Sequence, residues 1–125
     1  MSFVVGFPND QLDVTSSPTN AHLNTVTSSG GTATAQTGTL NAMAGTITTA
    51  TLTNTVDTKT TITITNSGCT ANSTVFAVIN SATIGTGQIY IQSVVPAANS
   101  FVITLCNSVA LTGTSSVKIR FMIVS

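Results

Sequence analysis

Along residues 61–65 and 116–124 every second side chain is apolar. Ile62 and Ile64 alternate with Thr61, Thr63 and Thr65, while Val117, Ile119, Phe121 and Ile123 share one parity and Lys118, Arg120 and Met122 the other. A period of two is the repeat of a β-strand with one face against a core, and it cannot serve a helix, whose repeat is 3.6. The same texture extends over residues 47–55, where threonines alternate around Ile47 and Leu52, and over 100–106, where Phe101, Ile103 and Leu105 fall on one face. Residues 73–80 are denser in apolar side chains and predict a strand covered on both faces. Residues 88–95 predict another, broken at Pro96.

Turn signals separate these runs: Asn66-Ser67-Gly68, the two-glycine stretch 81–87, Pro96 to Asn99, and a longer connection over 107–115 with Gly113. Residues 97–112 leave room for a short helical turn, with no amphipathic period to support a long one. About six short strands are therefore expected. They predict an all-β chain, an antiparallel β-sandwich or jelly-roll-like domain over residues 45–125.

The N-terminal third reads differently. Residues 1–24 begin with an apolar cluster (Phe3, Val4, Val5, Phe7), carry Pro8 and Pro18, and show neither period. Prolines remove backbone donors, so an extended N-terminal arm is expected. A frayed terminus is the plainer alternative. Residues 25–44 are rich in Gly, Ser and Thr and predict a linker or edge strands.

Composition limits function. Of 125 residues, 50 are Thr, Ser or Asn, and only three are basic and three acidic, for a formal charge of zero. Lys59, Lys118 and Arg120 are too few to neutralise phosphates, so nucleic acid is not an expected partner. No apolar run approaches a membrane span and no basic leader precedes Phe3, so neither membrane insertion nor export by a leader peptide is expected. Near-zero charge favours association, and neighbouring molecules are expected to cover much of the surface.

The inventory of reactive groups is equally thin. The chain has no glutamate, one histidine and three aspartates, and His22 with Asp10 or Asp13 falls in the arm, where no rigid scaffold positions it. No enzyme activity is expected. Cys69 and Cys106, 37 positions apart, do not form a zinc spacing, so neither a metal site nor another cofactor is expected. Buried free thiols are expected, though two cysteines permit one disulfide. Gly85-Thr86-Gly87 lacks the residues of a phosphate loop, and Asn72-Ser73-Thr74 matches a glycosylation acceptor by pattern alone.

Several stretches taken together carry a resemblance: Thr61-Ile62-Thr63-Ile64-Thr65-Asn66, Val75-Phe76-Ala77-Val78-Ile79, Pro96-Ala97-Ala98-Asn99-Ser100-Phe101 through Cys106-Asn107, and Lys118-Ile119-Arg120-Phe121. In texture and strand order, residues 60–125 resemble the small β-domains of capsid decoration (cement) proteins and head-fibre proteins, chiefly of tailed bacteriophages. The resemblance implies a non-enzymatic virion component made in the host cytoplasm, a dimer or trimer of identical chains bound to the major capsid protein through its N-terminal arm. It makes Phe3, Val4, Val5 and Phe7 candidate capsid anchors. Val117, Ile119, Phe121 and Ile123 are then the core or oligomer face. A fibre or spike domain that binds a host receptor or glycan is the alternative.

Overall fold

The computed structural model describes residues 24–27 and 30–125. Among them are nine strands and no helix: β1 (Asn24–Thr27), β2 (Gly30–Thr32), β3 (Ala35–Thr39), β4 (Ala44–Thr48), β5 (Lys59–Thr65), β6 (Thr74–Thr83), β7 (Gln88–Ala97), β8 (Ser100–Val109) and β9 (Ser116–Val124). They form two sheets, ordered β1-β4-β9-β6 and β2-β3-β5-β8-β7. The chain is all-β, with the two sheets packed face to face.

The core lies where the apolar rows of the two sheets meet. Val117, Ile119, Phe121 and Ile123 of β9 project inward beside Ile47 of β4, opposite Ile62 and Ile64 of β5 and Phe101, Ile103 and Leu105 of β8. The rings of Phe101 and Phe121 meet across the layers at 4.9 Å between centroids, tilted by 51°, a favoured aromatic geometry. Thr61 and Thr63, on either side of Ile62, face outward and are half-buried.

Chain crossings between sheets are held by buried amides. Two rows end alike: Ile62-Thr63-Ile64-Thr65-Asn66 and Ile103-Thr104-Leu105-Cys106-Asn107 each place asparagine at the next inward position after two aliphatic ones. Asn66 Nδ2 donates to the carbonyls of Leu40 (2.7 Å) and Ala42 (2.6 Å), on the crossing from β3 to β4. Asn107 Nδ2 donates to those of Thr53 (2.6 Å) and Thr55 (3.2 Å), on the crossing from β4 to β5. Gln36, inward on β3, accepts from the Ala50 amide at 2.9 Å. Buried carbonyls without partners are costly, so these side chains stand in for a ladder that the crossings lack.

The structure departs from the sequence reading in several places. The expected strand over 47–55 stops at Thr48. Thr49 turns its hydroxyl onto the Val117 amide (3.0 Å), and the chain then crosses to the other sheet, meeting β9's entrance at the Leu52–Ser115 bridge and through Asn54 Oδ1, which accepts from Ser115 Oγ at 3.3 Å. Residues 25–44, expected as a linker or edge strands, contribute strands, and β3 runs parallel to β5 and β1 parallel to β4, so the sheets are mixed where an antiparallel sandwich is expected. β6 is an edge strand with one face exposed, not a strand covered on both. It continues through Thr83 into what reads as loop. β7 runs through Pro96 to Ala97, which an edge position allows because no neighbour needs the missing donor. The turn into β8 instead uses Asn99 at φ 62°, and β8 occupies the stretch where a helical turn has room.

Phe121→Ala is expected to destabilise by about 3–5 kcal/mol and Thr63→Ala by under ~1 kcal/mol, measured by urea denaturation; equal small effects would contradict the face assignment. Asn66→Ala leaves two crossing carbonyls without their donor and is expected to cost about 1–3 kcal/mol by the same assay.

Candidate functional site

The residues singled out by sequence fall in different places. Phe3, Val4, Val5 and Phe7 lie outside the described residues, as do Asp10, Asp13 and His22. Val117, Ile119, Phe121 and Ile123 are buried between the sheets, and their row offers no surface to another molecule. Gly85-Thr86-Gly87 forms part of the β6–β7 connection and docks on the 110–115 segment: the Gly85 amide donates to the Thr112 carbonyl at 3.0 Å and the Thr86 amide to Thr112 Oγ1 at 2.9 Å. Gly87 sits at φ 103° with Ala110 close enough to exclude a Cβ, so these glycines serve packing. Asn72 is exposed in a turn whose Ser73 is buried, Ser73 Oγ accepting from the Thr70 amide at 2.9 Å.

Chemistry-bearing groups come together at one point. Cys106 faces outward on β8 with Lys59 as its register partner on β5 and Tyr90 on β7. The thiol is nonetheless buried and free, as is that of Cys69. Interaction with the Cys106 side chain, a hydrogen bond above all, holds the Tyr90 phenol above its ordinary pKa, with desolvation adding to it. The register thus sets a buried thiol beside a phenol on one flank and Lys59 on the other. Among the described residues no three His, Cys, Asp or Glu side chains gather as a metal would require.

What the surface does present is apolar. On the outer face of β6, Phe76 is 56% exposed and Val78 60% exposed. Their register partners on β9 are Met122, itself half exposed, and Arg120. These side chains surround a shallow depression of about 530 Å³ with Ala44 at its far side. Around the edge, where β6 approaches β7, Ile79, Ala82, Ile84, Ile89 and Tyr90 line a second cleft of about 340 Å³. Tyr90 and Val95 on β7 are about half exposed as well. Large exposed apolar patches on a folded chain mark contact surfaces.

The sequence reading missed this surface because β6 is apolar on both faces, which reads as full burial. One signal was available: residues 74–97 contain no charged side chain at all. No family model, curated protein or solved structure matches the chain.

Tyr90→Ala is expected to speed modification of Cys106 by a thiol reagent about tenfold while leaving Cys69 unchanged, read by mass spectrometry of labelled peptides. Equal acceleration of both thiols would mean that the substitution loosens the whole domain.

Proposed function

We propose that this chain is a non-enzymatic structural component of a virion, a capsid decoration protein that works by surface contact as an oligomer of identical chains. The observation that carries the reading is the exposed apolar surface along β6 and β7, whose residues 74–97 carry no charge and which Arg120 and Lys118 of β9 border on the β6 side. Such a surface suits permanent assembly, in which binding strength comes from repeating one modest contact over a symmetric shell. Few exposed charges also mean little sensitivity to salt.

The strand routing agrees with a jelly-roll-like reading of the sandwich. β4 pairs with β9 and β5 with β8, each antiparallel, and β6 and β7 lie outboard of them in the two sheets. This is the nesting of an antiparallel ribbon folded over itself, with β1, β2 and β3 added beyond β4 and β5. In this reading the shell-binding segment is the apolar cluster Phe3, Val4, Val5 and Phe7, whose side chains suit a groove on the major capsid protein.

The test is binding of the purified full chain to empty shells of the major capsid protein encoded by the same genome. Saturable binding at a fixed ratio is expected, with a Phe3→Ser/Phe7→Ser double variant weakened by at least about tenfold. Absence of wild-type binding would refute the decoration role, and equal binding by the variant would refute the assignment of the anchor.

A further inference from the structure

β9 alternates strictly, so the side chains between its core residues face outward: Lys118, Arg120 and Met122. Register sets Met122 between Ala44 of β4 and Phe76 of β6, Arg120 between Thr46 and Val78, and Lys118 between Thr48 and Ser81. The outer face of this sheet thus carries two of the chain's three basic residues and, among the described residues, no acid. Asp57 stands in the approach to β5, in the other sheet. Cations on successive outward positions of one strand, roughly 7 Å apart along the backbone, repel one another.

The chain's other acids precede the strands. Residues 1–23 hold Asp10, Asp13, one histidine and no Lys or Arg, whereas residues 24–125 hold all three bases against Asp57 alone. The point of entry is fixed as well. β1 forms one edge of the order β1-β4-β9-β6 and begins at Asn24, which pairs with Gly45, and Gly45 pairs with Phe121. The chain therefore enters this sheet at the level between Arg120 and Met122, two strands away from them, a gap of about 10 Å. Asp13 stands 11 residues before Asn24, and a chain of that length spans up to about 36 Å when extended, so reach is ample. So short a tether holds its end near the sheet at an effective concentration on the order of millimolar, which offsets the weakness of exposed ion pairs. Leu12 and Val14 flank Asp13, and the depression of about 530 Å³ beside Arg120 is otherwise lined by apolar residues, Ala44 and Met122 among them.

We infer that residues 8–23 fold back over the outer face of β4 and β9, where Asp10 and Asp13 meet Lys118 and Arg120. Leu12 and Val14 enter the depression from the β4 side, beside Ala44 and Met122, and Phe76 and Val78 stay at its outer rim. The apolar cluster at residues 3–7 then leaves the sandwich on this face, and the charge that borders β6 is neutralised from within the chain. The inference goes beyond the proposed function. It concerns one chain by itself, so it can fail while shell binding and self-association hold, and the reverse.

The test is carbodiimide cross-linking of the full chain, which joins a lysine amine to a carboxylate in contact with it, at about 1 µM to limit self-association. Mixing isotope-labelled with unlabelled chains separates links within a chain from links between copies. Mass spectrometry is expected to find Lys118 joined to Asp10 or Asp13 within one chain, and at least about tenfold less linkage of these aspartates to Lys59, the base of the other sheet. Arg120→Glu, at an exposed position, is expected to lower the Lys118 links at least about fivefold while the urea midpoint holds. Absence of the Lys118 link, or equal linkage to Lys59, overturns the inference, since a segment without a seat samples both sheets alike. So do links found only between copies, or a Lys118 link indifferent to Arg120→Glu.

Discussion

The fold rests on carrying the chain between two sheets without stranding backbone groups in the interior. A ladder satisfies its own donors and acceptors, whereas a crossing does not. Here the two early crossings, over residues 40–43 and 49–58, run past the ends of the core, where Asn66, Asn107 and Gln36 extend their amides. Because β5 and β8 are antiparallel, their terminal asparagines lie at opposite ends of the sandwich, one for each crossing. The Asn107 side chain gives both crossing contacts through Nδ2, and its Oδ1, buried, has no protein partner. That oxygen is where an ordered water would add most.

From those fixed ends the rest follows. β9 can lie between β4 and β6, and β8 between β5 and β7, so that the two strands with the most buried residues occupy the sheet interiors and bring Phe101 and Phe121 together. The remaining threonine rows face out and supply polarity without charge. Among the described residues β6 and β7 each have a neighbouring strand on one side only, and their Val, Ile and Phe side chains stay partly exposed. Apolar surface of that kind is stable in water only at a cost, which association removes.

Legibility followed the chemistry of the inward positions. β5, β8 and β9 were readable because aliphatic residues alternate with threonine, lysine or arginine, and the core roles of Ile62, Ile103 and Phe121 follow from parity alone. β3 was obscure because its inward positions are Gln36 and Gly38, the reverse of the usual signal. The end of β4 was hidden by threonines that continue the alternation past Thr48, although Thr49 spends its hydroxyl on the backbone of β9. At β6 the pattern gave burial where the structure has an edge, since an apolar run reports affinity for a cover and not whether the same chain supplies it. The exposed apolar surface was legible only as an absence of charge over residues 74–97, and the shell-binding role proposed for Phe3, Val4, Val5 and Phe7 comes from the resemblance.

A crystal structure of the purified full chain tests most directly the proposal that this chain works as an oligomer of identical copies. The account predicts the outer face of β6, with Phe76 and Val78, covered by a neighbouring copy across a symmetric contact that persists in solution. It would be contradicted by a molecule in which that face stays open to solvent while copies meet elsewhere, or do not meet at all.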